Sequence, residues 1–389
     1  MPPESTVCVS RRAAGRWQRG HPWIYASDVV GRGPASPAIV DVEQRNGMPL
    51  GVALWSPQSQ IRLRRLDDPG VTIDGAWWTR RIRTAAGRRK ALAGNPTALR
   101  LVHGEADGLP SLIVDRYGDV LVAQLLSAGL ESERPSVLHA LIELFAPRGI
   151  LLRNDATVRQ HEGLAVSIEP VYGEVPDEVE VREGVVRYLV SPRHGQKTGA
   201  FLDQRVNRLL MGERANGSAL DVFTYQGHFA LHMARQATAV LGIDQSGPAL
   251  GMARRNATLN DMYHVAWREA NAFDELRRLE TEGARFDTIV VDPPAFVKSR
   301  AALGDGMRGY QEINLRAMRL LATGGSLLTC SCSYHVDLAT FVGVLRSAAE
   351  DSGRRIVLER AVGQAEDHPE VLTIPESGYL KGALLRAAD

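Results

Sequence analysis

Apolar segments alternate with helical segments through the C-terminal half of the chain, and this alternation constrains the fold more than any other feature. The segments with the length and composition of buried strands are residues 218–222, 239–244, 286–292 and 325–330. Helical stretches between them cover residues 229–236, 247–260 and 310–321. Repeated strand–helix units with apolar strands predict a parallel sheet covered by helices on both faces, which is a Rossmann-like α/β domain.

The N-terminal half has a different rhythm. Residues 38–42, 49–55 and 60–66 read as short strands separated by Pro, Gly and Asn, a pattern typical of a small β-barrel that ends near residue 70. An α+β segment follows, with helices over 74–93 and 133–144, a hairpin turning at 117–119, and strands at 150–153 and 185–190. We therefore predict three domains, 1–70, 71–190 and 191–389.

Charge is unevenly distributed along the chain. Residues 1–100 carry 16 Lys and Arg against 7 Asp and Glu, whereas the remainder carries 30 against 38. A basic N-terminal part indicates contact with a polyanion, and a solvated arginine-rich surface is the alternative. Three cysteines provide no disulfide framework and favour a reducing cytoplasm. We expect no membrane-spanning segment, no secretory leader and no metal ion.

Acidic residues end two of the predicted strands. Asp221 and Asp244 would lie at the carboxyl edge of the sheet, where an acid can accept the ribose hydroxyls of a nucleoside cofactor. A helix cap before residues 246–248 is the alternative for Asp244. The loop after Asp221 offers the single glycine Gly227 beside Phe223 and Tyr225, not the glycine-rich fingerprint of a dinucleotide site. A cofactor without phosphates, such as S-adenosylmethionine, suits this loop.

An acid followed by two prolines ends the third strand. Asp292, Pro293 and Pro294 form a rigid, extended turn whose carboxylate and carbonyl groups can bind the edge of a nucleobase. Phe296 is expected to pack against the face of that base. A turn of purely structural meaning is the alternative.

Two cysteines follow in the fourth strand. Carbon 5 of cytosine accepts a methyl group only after a thiolate has added to carbon 6, and Asp292 could assist that addition by protonating or hydrogen-bonding ring N3. Cys332, at the exit of the strand, is the candidate nucleophile, whereas Cys330 lies inside the apolar run and is expected in the core.

The chain resembles the bacterial PUA-domain cytosine-5 methyltransferases of large-subunit rRNA along nearly its whole length. The similarity rests on long strings in one order, at residues 20–25, 108–117, 196–205, 292–296, 331–333 and 379–382. It implies an N-terminal PUA domain that binds RNA, a central α+β domain and a C-terminal class I methyltransferase domain.

The resemblance also implies roles for individual residues. Cys332 would be the nucleophile, and Asp292 would lie between cofactor and base. The residues implied to hold S-adenosylmethionine are Lys197, Thr198, Gln204, Arg205, Asp221, Phe223, Tyr225, Gly227, Asp244, Gln245, Asn271 and Asp292.

Some positions depart from the family pattern. Asn271 stands where an aspartate is usual, and its carbonyl oxygen is expected to accept the hydrogen bond from adenine's amino group. Gln226 and His228 alter the cofactor loop, while Tyr334 and His335 replace small residues after the nucleophile. His335 is a candidate for activating the thiol.

Three other functions stay open from the residues alone. They are methylation of an exocyclic amine of guanine or adenine, RNA binding without catalysis, and, less favoured, a nicotinamide dehydrogenase. Arginines are expected to bind phosphates electrostatically, namely Arg11, Arg12, Arg16, Arg62, Arg64 and Arg65. The target base must leave its stack, so we expect naked or partly unfolded rRNA as partner. A homodimer is left open.

Overall fold

A computed structural model describes residues 5–388, which form two compact units. The first unit contains the described chain up to Val181, together with Val190–Leu202 and Glu366–Gly378. The second contains Arg182–Leu189, Asp203–Ala365 and the described chain from Tyr379 onward. The two segments predicted as separate domains, 1–70 and 71–190, therefore fall largely into a single unit.

A six-stranded sheet begins the first unit. Its strands are β1 (Thr6–Val9), β2 (Trp23–Tyr25), β3 (Val29–Val30), β4 (Ala38–Gln44), β5 (Pro49–Trp55) and β6 (Ile61–Asp67), in the order β2-β6-β5-β4-β1-β3. Helix α1 (Arg11–Gln18) starts at Ser10, whose hydroxyl accepts from the Ala13 amide, and it buries Trp17. The three strands predicted in this region are confirmed.

A five-stranded sheet completes the first unit. Its strands are β7 (Ala98–His103), β8 (Leu112–Tyr117), β9 (Val120–Leu125), β10 (Gly149–Asn154) and β11 (Ser167–Gly173), in the order β11-β10-β9-β8-β7. The helices are α2 (Gly75–Gly87), α3 (Ala128–Glu131), α4 (Arg134–Phe145) and α5 (Val158–His161). β8 and β9 form the hairpin predicted at 117–119.

One hydrophobic core joins the two sheets of the first unit. Leu54 of β5 and Leu66 of β6 pack in the same cluster as Trp77 and Trp78 of α2, and Leu112 of β8 belongs to it as well. Both sheets bury side chains in this cluster, and the six-stranded sheet has a second cluster of its own around Trp17, Val40 and Leu63.

Strands β12 (Val179–Glu183) and β13 (Val186–Val190) pair in a two-stranded sheet, and a seven-stranded sheet follows in the second unit. Its strands are β14 (Ser218–Val222), β15 (Ala239–Asp244), β16 (Val265–Glu269), β17 (Phe286–Val291), β18 (Leu321–Ser331), β19 (Ile356–Gly363) and β20 (Lys381–Ala387). The order is β16-β15-β14-β17-β18-β20-β19, with β14 to β18 mutually parallel and β20 antiparallel to both of its neighbours. The predicted Rossmann-like fold is confirmed.

Helices cover both faces of this sheet. They are α6 (Arg205–Arg214), α7 (His228–Met233), α8 (Gly247–Leu259), α9 (Ala272–Thr281), α10 (Leu303–Leu320) and α11 (Leu338–Ser352). Successive strand residues enter opposite cores, since Val290 and Leu328 pack with α6 and α7, while Val291 and Leu327 pack with α9, α10 and α11. The strand order reverses at β14, which is where such sheets bind ligands. None of the helices in residues 5–388 is long and apolar enough to cross a bilayer.

The structure corrects the prediction that Arg64 contacts RNA. Its guanidinium is buried and pairs with the Glu162 carboxylate at 2.7 Å, and the same carboxylate also accepts from Ser59 and from the Ala128 amide. Arg12, by contrast, keeps 75% of its side chain exposed while it pairs with Asp28. Arg64 therefore stabilises the first unit, whereas Arg12 stays accessible to a polyanion.

Removing the Arg64 charge should destabilise the protein, because it leaves a buried carboxylate without its cation. We expect Arg64→Met to lower the free energy of unfolding by about 3 kcal/mol. The matched exposed variant Arg12→Met should change it by less than about 1 kcal/mol. Urea unfolding of both variants measures the difference, and equal effects would contradict this assignment.

Candidate active site

Three carboxylates meet at the carboxyl edge of the seven-stranded sheet. Asp221 is the next-to-last residue of β14, Asp244 is the last residue of β15, and Asp292 directly follows β17. Burial raises the pKa of Asp221 to about 7, and the negative charges of Asp292 and Asp244 contribute to the increase. The parallel strands thus bring the three predicted acids within electrostatic reach of one another.

The loop after β14 wraps around two of these acids. Thr224 donates its hydroxyl proton to Asp221, and the Tyr225 amide donates to the Asp244 carboxylate at 2.8 Å. Phe223 and Tyr225 take left-handed conformations, with φ of 66° and 50°, which few non-glycine residues adopt. Gly227 also has a positive φ, and a Cβ there would lie 2.5 Å from the Trp267 ring. Glycine is therefore required where the loop turns into α7.

Asp244 has lone pairs left for a ligand. Its Oδ2 accepts from Tyr225, and its Oδ1 accepts from the Ser246 amide at 2.9 Å. The cap of α8 is Ser246 itself, whose hydroxyl accepts from the Ala249 amide. Each carboxylate oxygen can accept further hydrogen bonds, so the arrangement is compatible with ribose binding. The neighbouring Gln245 is exposed.

Asn271 caps a helix with the atom that the sequence analysis assigned to adenine. Its Oδ1 accepts from the amides of Phe273 and Asp274, at 3.0 and 3.4 Å, and starts α9. The side chain's other polar group is the amide Nδ2, which only donates. The oxygen predicted to accept from adenine's amino group is thus also the cap of α9.

The turn after β17 is tied to β14 and to an aromatic cluster. The Asp292 amide donates to the Val222 carbonyl at 3.4 Å, while Pro293 is buried and Pro294 is exposed. The Phe296 ring lies 4.8 Å from Tyr310, 5.9 Å from Phe273 and 6.2 Å from Phe223, measured between centroids. Phe296 is therefore supported by protein rings and stays partly exposed.

The residues around Cys332 are held from one side by Tyr310. Ser331 donates to the Tyr310 hydroxyl at 2.9 Å, and Ser333 shares a 2.9 Å hydrogen bond with the same hydroxyl. The Val297 amide also donates to the Ser333 hydroxyl at 3.1 Å. Both serines are fully buried, whereas Cys332 is partly exposed and packs against the core on the other face of the sheet.

Asp292 and Cys332 flank Cys330. Cys330 is buried in the same core as Val290 and Leu328, which confirms its predicted place. Burial raises the pKa of the Cys330 thiol well above its usual range, and the charges of Asp292 and Cys332 add to the increase. The Asp292 carboxylate and the Cys332 thiol therefore both lie within electrostatic range of the buried Cys330.

The predicted segment 197–205 is divided between the two units. Lys197 and Thr198 belong to the first unit, where the buried Thr198 hydroxyl bonds to Asp115 and Tyr117. Gln204 and Arg205 belong to the second unit and are buried at the start of α6. Thr198 was predicted to hold the cofactor, but its hydroxyl is hydrogen-bonded within the first unit.

Two histidines singled out from the sequence have different surroundings. His228 is buried, with its ring 4.2 Å from Tyr188, and burial lowers its pKa to about 3, so the ring is neutral at pH 7. His335 is partly exposed, and its ring meets the exposed Tyr334 ring edge-on at 5.4 Å. Lys381 was not among the predicted site residues, and its ammonium donates to the Ser333 carbonyl at 2.8 Å. Its position inside the 379–382 string was the available signal.

An unsatisfied polar atom marks the edge as a ligand site. The buried Asp221 Oδ1 atom has no hydrogen-bond partner within residues 5–388, whereas the Gln204 side chain hydrogen-bonds to Cys330. Buried polar groups are normally paired, so an acceptor left open near Asp244 fits a nucleoside that carries an amino acid group. The site residues therefore fit S-adenosylmethionine.

The reversed strand order, the antiparallel β20 and the acids at the carboxyl edge define a methyltransferase of the class I, Rossmann-like type. Residues 7–68 match the model of a PUA-like domain, and residues 100–386 match the S-adenosylmethionine-dependent methyltransferase family. The chain belongs to this family, and S-adenosylmethionine is its cofactor.

Similar proteins are found among both sequences and structures. "Ribosomal RNA large subunit methyltransferase I" of Shewanella amazonensis and that of Escherichia coli are each 39% identical over 378 residues, covering 95% of this chain and 96% of each relative. A candidate SAM-dependent methyltransferase of Streptococcus mutans has a TM-score of 0.82 at 20% identity, covering 98% of this chain and 99% of that chain. A methyltransferase structure complexed with SAH has a TM-score of 0.82 at 19% identity, with the same coverage. These structures show a shared fold.

The raised pKa of Asp221 should make stability depend on pH. A carboxyl with a pKa near 7 in the fold and near 3.8 when unfolded stabilises the fold below about pH 4, and this contribution is lost as pH rises to 7. The loss is on the order of 4 kcal/mol, at about 1.4 kcal/mol per unit. We expect Asp221→Asn to remove this decrease. Urea unfolding of both cofactor-free proteins from pH 4.5 to 7.5 measures it, and parallel curves would contradict the raised pKa.

Proposed function

We propose that this protein transfers a methyl group from S-adenosylmethionine to carbon 5 of a cytosine in large-subunit ribosomal RNA, with Cys332 as the nucleophile. The observation that carries the proposal is the place of Cys332, which is an accessible thiol at the exit of β18, next to the acids of the carboxyl edge. The relatives named for large-subunit rRNA support the substrate class.

The chemistry needs a thiolate at the face of the ring and a proton donor at its edge. The Cys332 thiolate adds to carbon 6, a sulfur–carbon bond forms, and the electrons of the 5,6 double bond move toward carbon 5. Asp292 hydrogen-bonds or protonates N3 and so offsets the negative charge that develops on the ring. S-adenosylmethionine supplies the electrophilic methyl group. A base then removes the carbon 5 proton, the sulfur–carbon bond breaks, and the thiolate is regenerated.

The acids and the loop of the carboxyl edge would hold the cofactor. Asp244 accepts from the ribose hydroxyls, and the loop from Phe223 to Gly227 closes over the adenosine. The open Asp221 Oδ1 and the buried start of α6 at Gln204 are suited to the amino acid end.

The basic N-terminal part would bind the RNA backbone. Arg12 is exposed there and would contact phosphates, whereas the buried Arg64 would not. Because the thiolate needs the ring face and Asp292 the ring edge, the cytosine must leave its stack. Pro294 and Phe296 then contact the extruded base. We therefore propose naked or partly unfolded ribosomal RNA in the cytoplasm as substrate.

Replacing Asn271 with aspartate should strengthen cofactor binding. One carboxylate oxygen would keep capping α9, and the other would accept from adenine's amino group, where Nδ2 now presents a donor. A recovered hydrogen bond to a charged acceptor is worth about 1.5 kcal/mol, which is roughly a tenfold lower Kd. Calorimetric titration with S-adenosylmethionine measures the change, with Asn271→Ser as the control that caps but cannot reach. Weaker binding by Asn271→Asp than by the parent would contradict this geometry.

The nucleophile is tested by removing one thiol at a time. Cys332→Ala should lower methyl transfer to rRNA by at least about 1000-fold, since the addition step is lost. Cys330→Ala, two residues away in the core, should retain transfer and serves as the matched control. The measurement is incorporation of labelled methyl groups at matched folded concentrations.

Trapping distinguishes carbon from nitrogen as the methyl acceptor. With RNA that contains 5-fluorocytidine, carbon 5 cannot lose a proton, so the bond between Cys332 and carbon 6 should persist as a covalent complex on a denaturing gel. Cys332→Ala should form none. Full activity of Cys332→Ala together with no adduct would exclude the thiol route and favour an exocyclic amine.

A further inference from the structure

Lys381 lies against the segment that carries Cys332. It is the first residue of β20 and pairs in register with Ser331, while its ammonium donates to the Ser333 carbonyl at 2.8 Å. Cys332 is the residue between these two points. We propose that Lys381 is a positioning residue whose charge stabilises the Cys332 thiolate; the catalytic meaning of this rests on the proposed function.

Lys381 reaches the segment of Cys332 at the exit of β18. Because Lys381 pairs with Ser331, its side chain leaves β20 on the Ser331 face, and its ammonium is held by the Ser333 carbonyl, one residue after Cys332. Tyr310 binds the hydroxyls of Ser331 and Ser333, which are fully buried. Because side chains alternate along an extended chain, Cys332 points away from Tyr310. The same bond to the Ser333 carbonyl limits the movement of the Lys381 side chain, so charge and thiol stay close.

Lys381 is only half-buried, so its ammonium can keep its charge beside the segment that carries Cys332. Burial lowers the pKa of Lys381, and the negative charges of Cys332 and Asp337 oppose that decrease. The mutual influence shows that ammonium and thiol are within electrostatic range. A cation 4–6 Å from an acidic group typically lowers its pKa by 1–3 units.

Other titratable groups lie within electrostatic range of this thiol. Tyr310 and Cys330 feel its charge, and burial raises the pKa of both, so they are neutral at pH 7. Asp292 acts on Cys330 from the turn after β17, and His335 follows Cys332 in the loop after β18. Asp292 would disfavour a thiolate, whereas Lys381 favours it. When the thiol ionises, its proton goes to solvent and Lys381 stays protonated.

Site-resolved alkylation tests the proposal without RNA. The full chain is treated with iodoacetamide across pH 6–10, and the extent of Cys332 modification is read by peptide mass spectrometry. Lys381→Met, which keeps the stem but not the charge, should raise the midpoint by about one pH unit or more. Lys381→Arg, which keeps charge and donor, should restore most of the parent midpoint. Cys8 in the same digests is the internal control and should not shift.

Two results would overturn the proposal. An unchanged midpoint in Lys381→Met would mean that its charge does not act on the thiol, and equal shifts in the Met and Arg variants would indicate a role in packing alone. If Lys381→Met does not fold, Lys381→Gln gives the same comparison, since it keeps an amide donor without charge.

Failure of this proposal and failure of the proposed function give different results. Cys332→Ala with full methyl transfer would remove the catalytic role of the thiol, yet the alkylation shift in Lys381→Met would persist. Loss of transfer in Cys332→Ala with no alkylation shift in Lys381→Met would retain the nucleophile and exclude Lys381 as its activating neighbour.

Discussion

The hydrogen-bonded pairing of β18 with β17 on one side and β20 on the other is the constraint on which the site depends. A strand paired along both edges cannot rotate about its axis, so each residue has a fixed face. The β20 register extends to Ser331, one residue before Cys332. The direction of the thiol, its distance from Asp292 and the reach of Lys381 all follow from this pairing.

The carboxyl edge concentrates negative charge, and the fold tolerates it in two ways. Asp244 is satisfied by backbone amides of the loop and of the α8 start. Asp221 is buried so deeply that its pKa approaches neutrality, and one of its oxygens is left open. Left-handed residues at Phe223 and Tyr225 add local strain. Such unfavourable features persist together at sites that a ligand completes.

Much of this architecture could be predicted from apolar runs. β14 and β15 have the predicted bounds because buried parallel strands read as continuous hydrophobic segments. β16 and β19, at the two edges of the sheet, were missed because Val265 is their only buried side chain and neither strand carries such a run. Arg64 was misassigned because its partner Glu162 lies 98 residues away, which no local pattern reveals. Asn271 was different, since an asparagine before a helix is a local capping signal that could have been used.

Depth along one strand explains why two cysteines in the same sheet face behave differently. Cys330 is enclosed by the core, so ionising it would place a charge where water cannot hydrate it. Cys332 is two residues farther toward the edge. It is only partly buried there, and the Lys381 ammonium binds the carbonyl of the next residue, Ser333. If the register of β18 shifted by two residues, the buried position of Cys330 and the accessible position of Cys332 would be exchanged without any change in composition. The accessibility of a thiol at this site is therefore a property of register, which pairing determines and residue type alone does not.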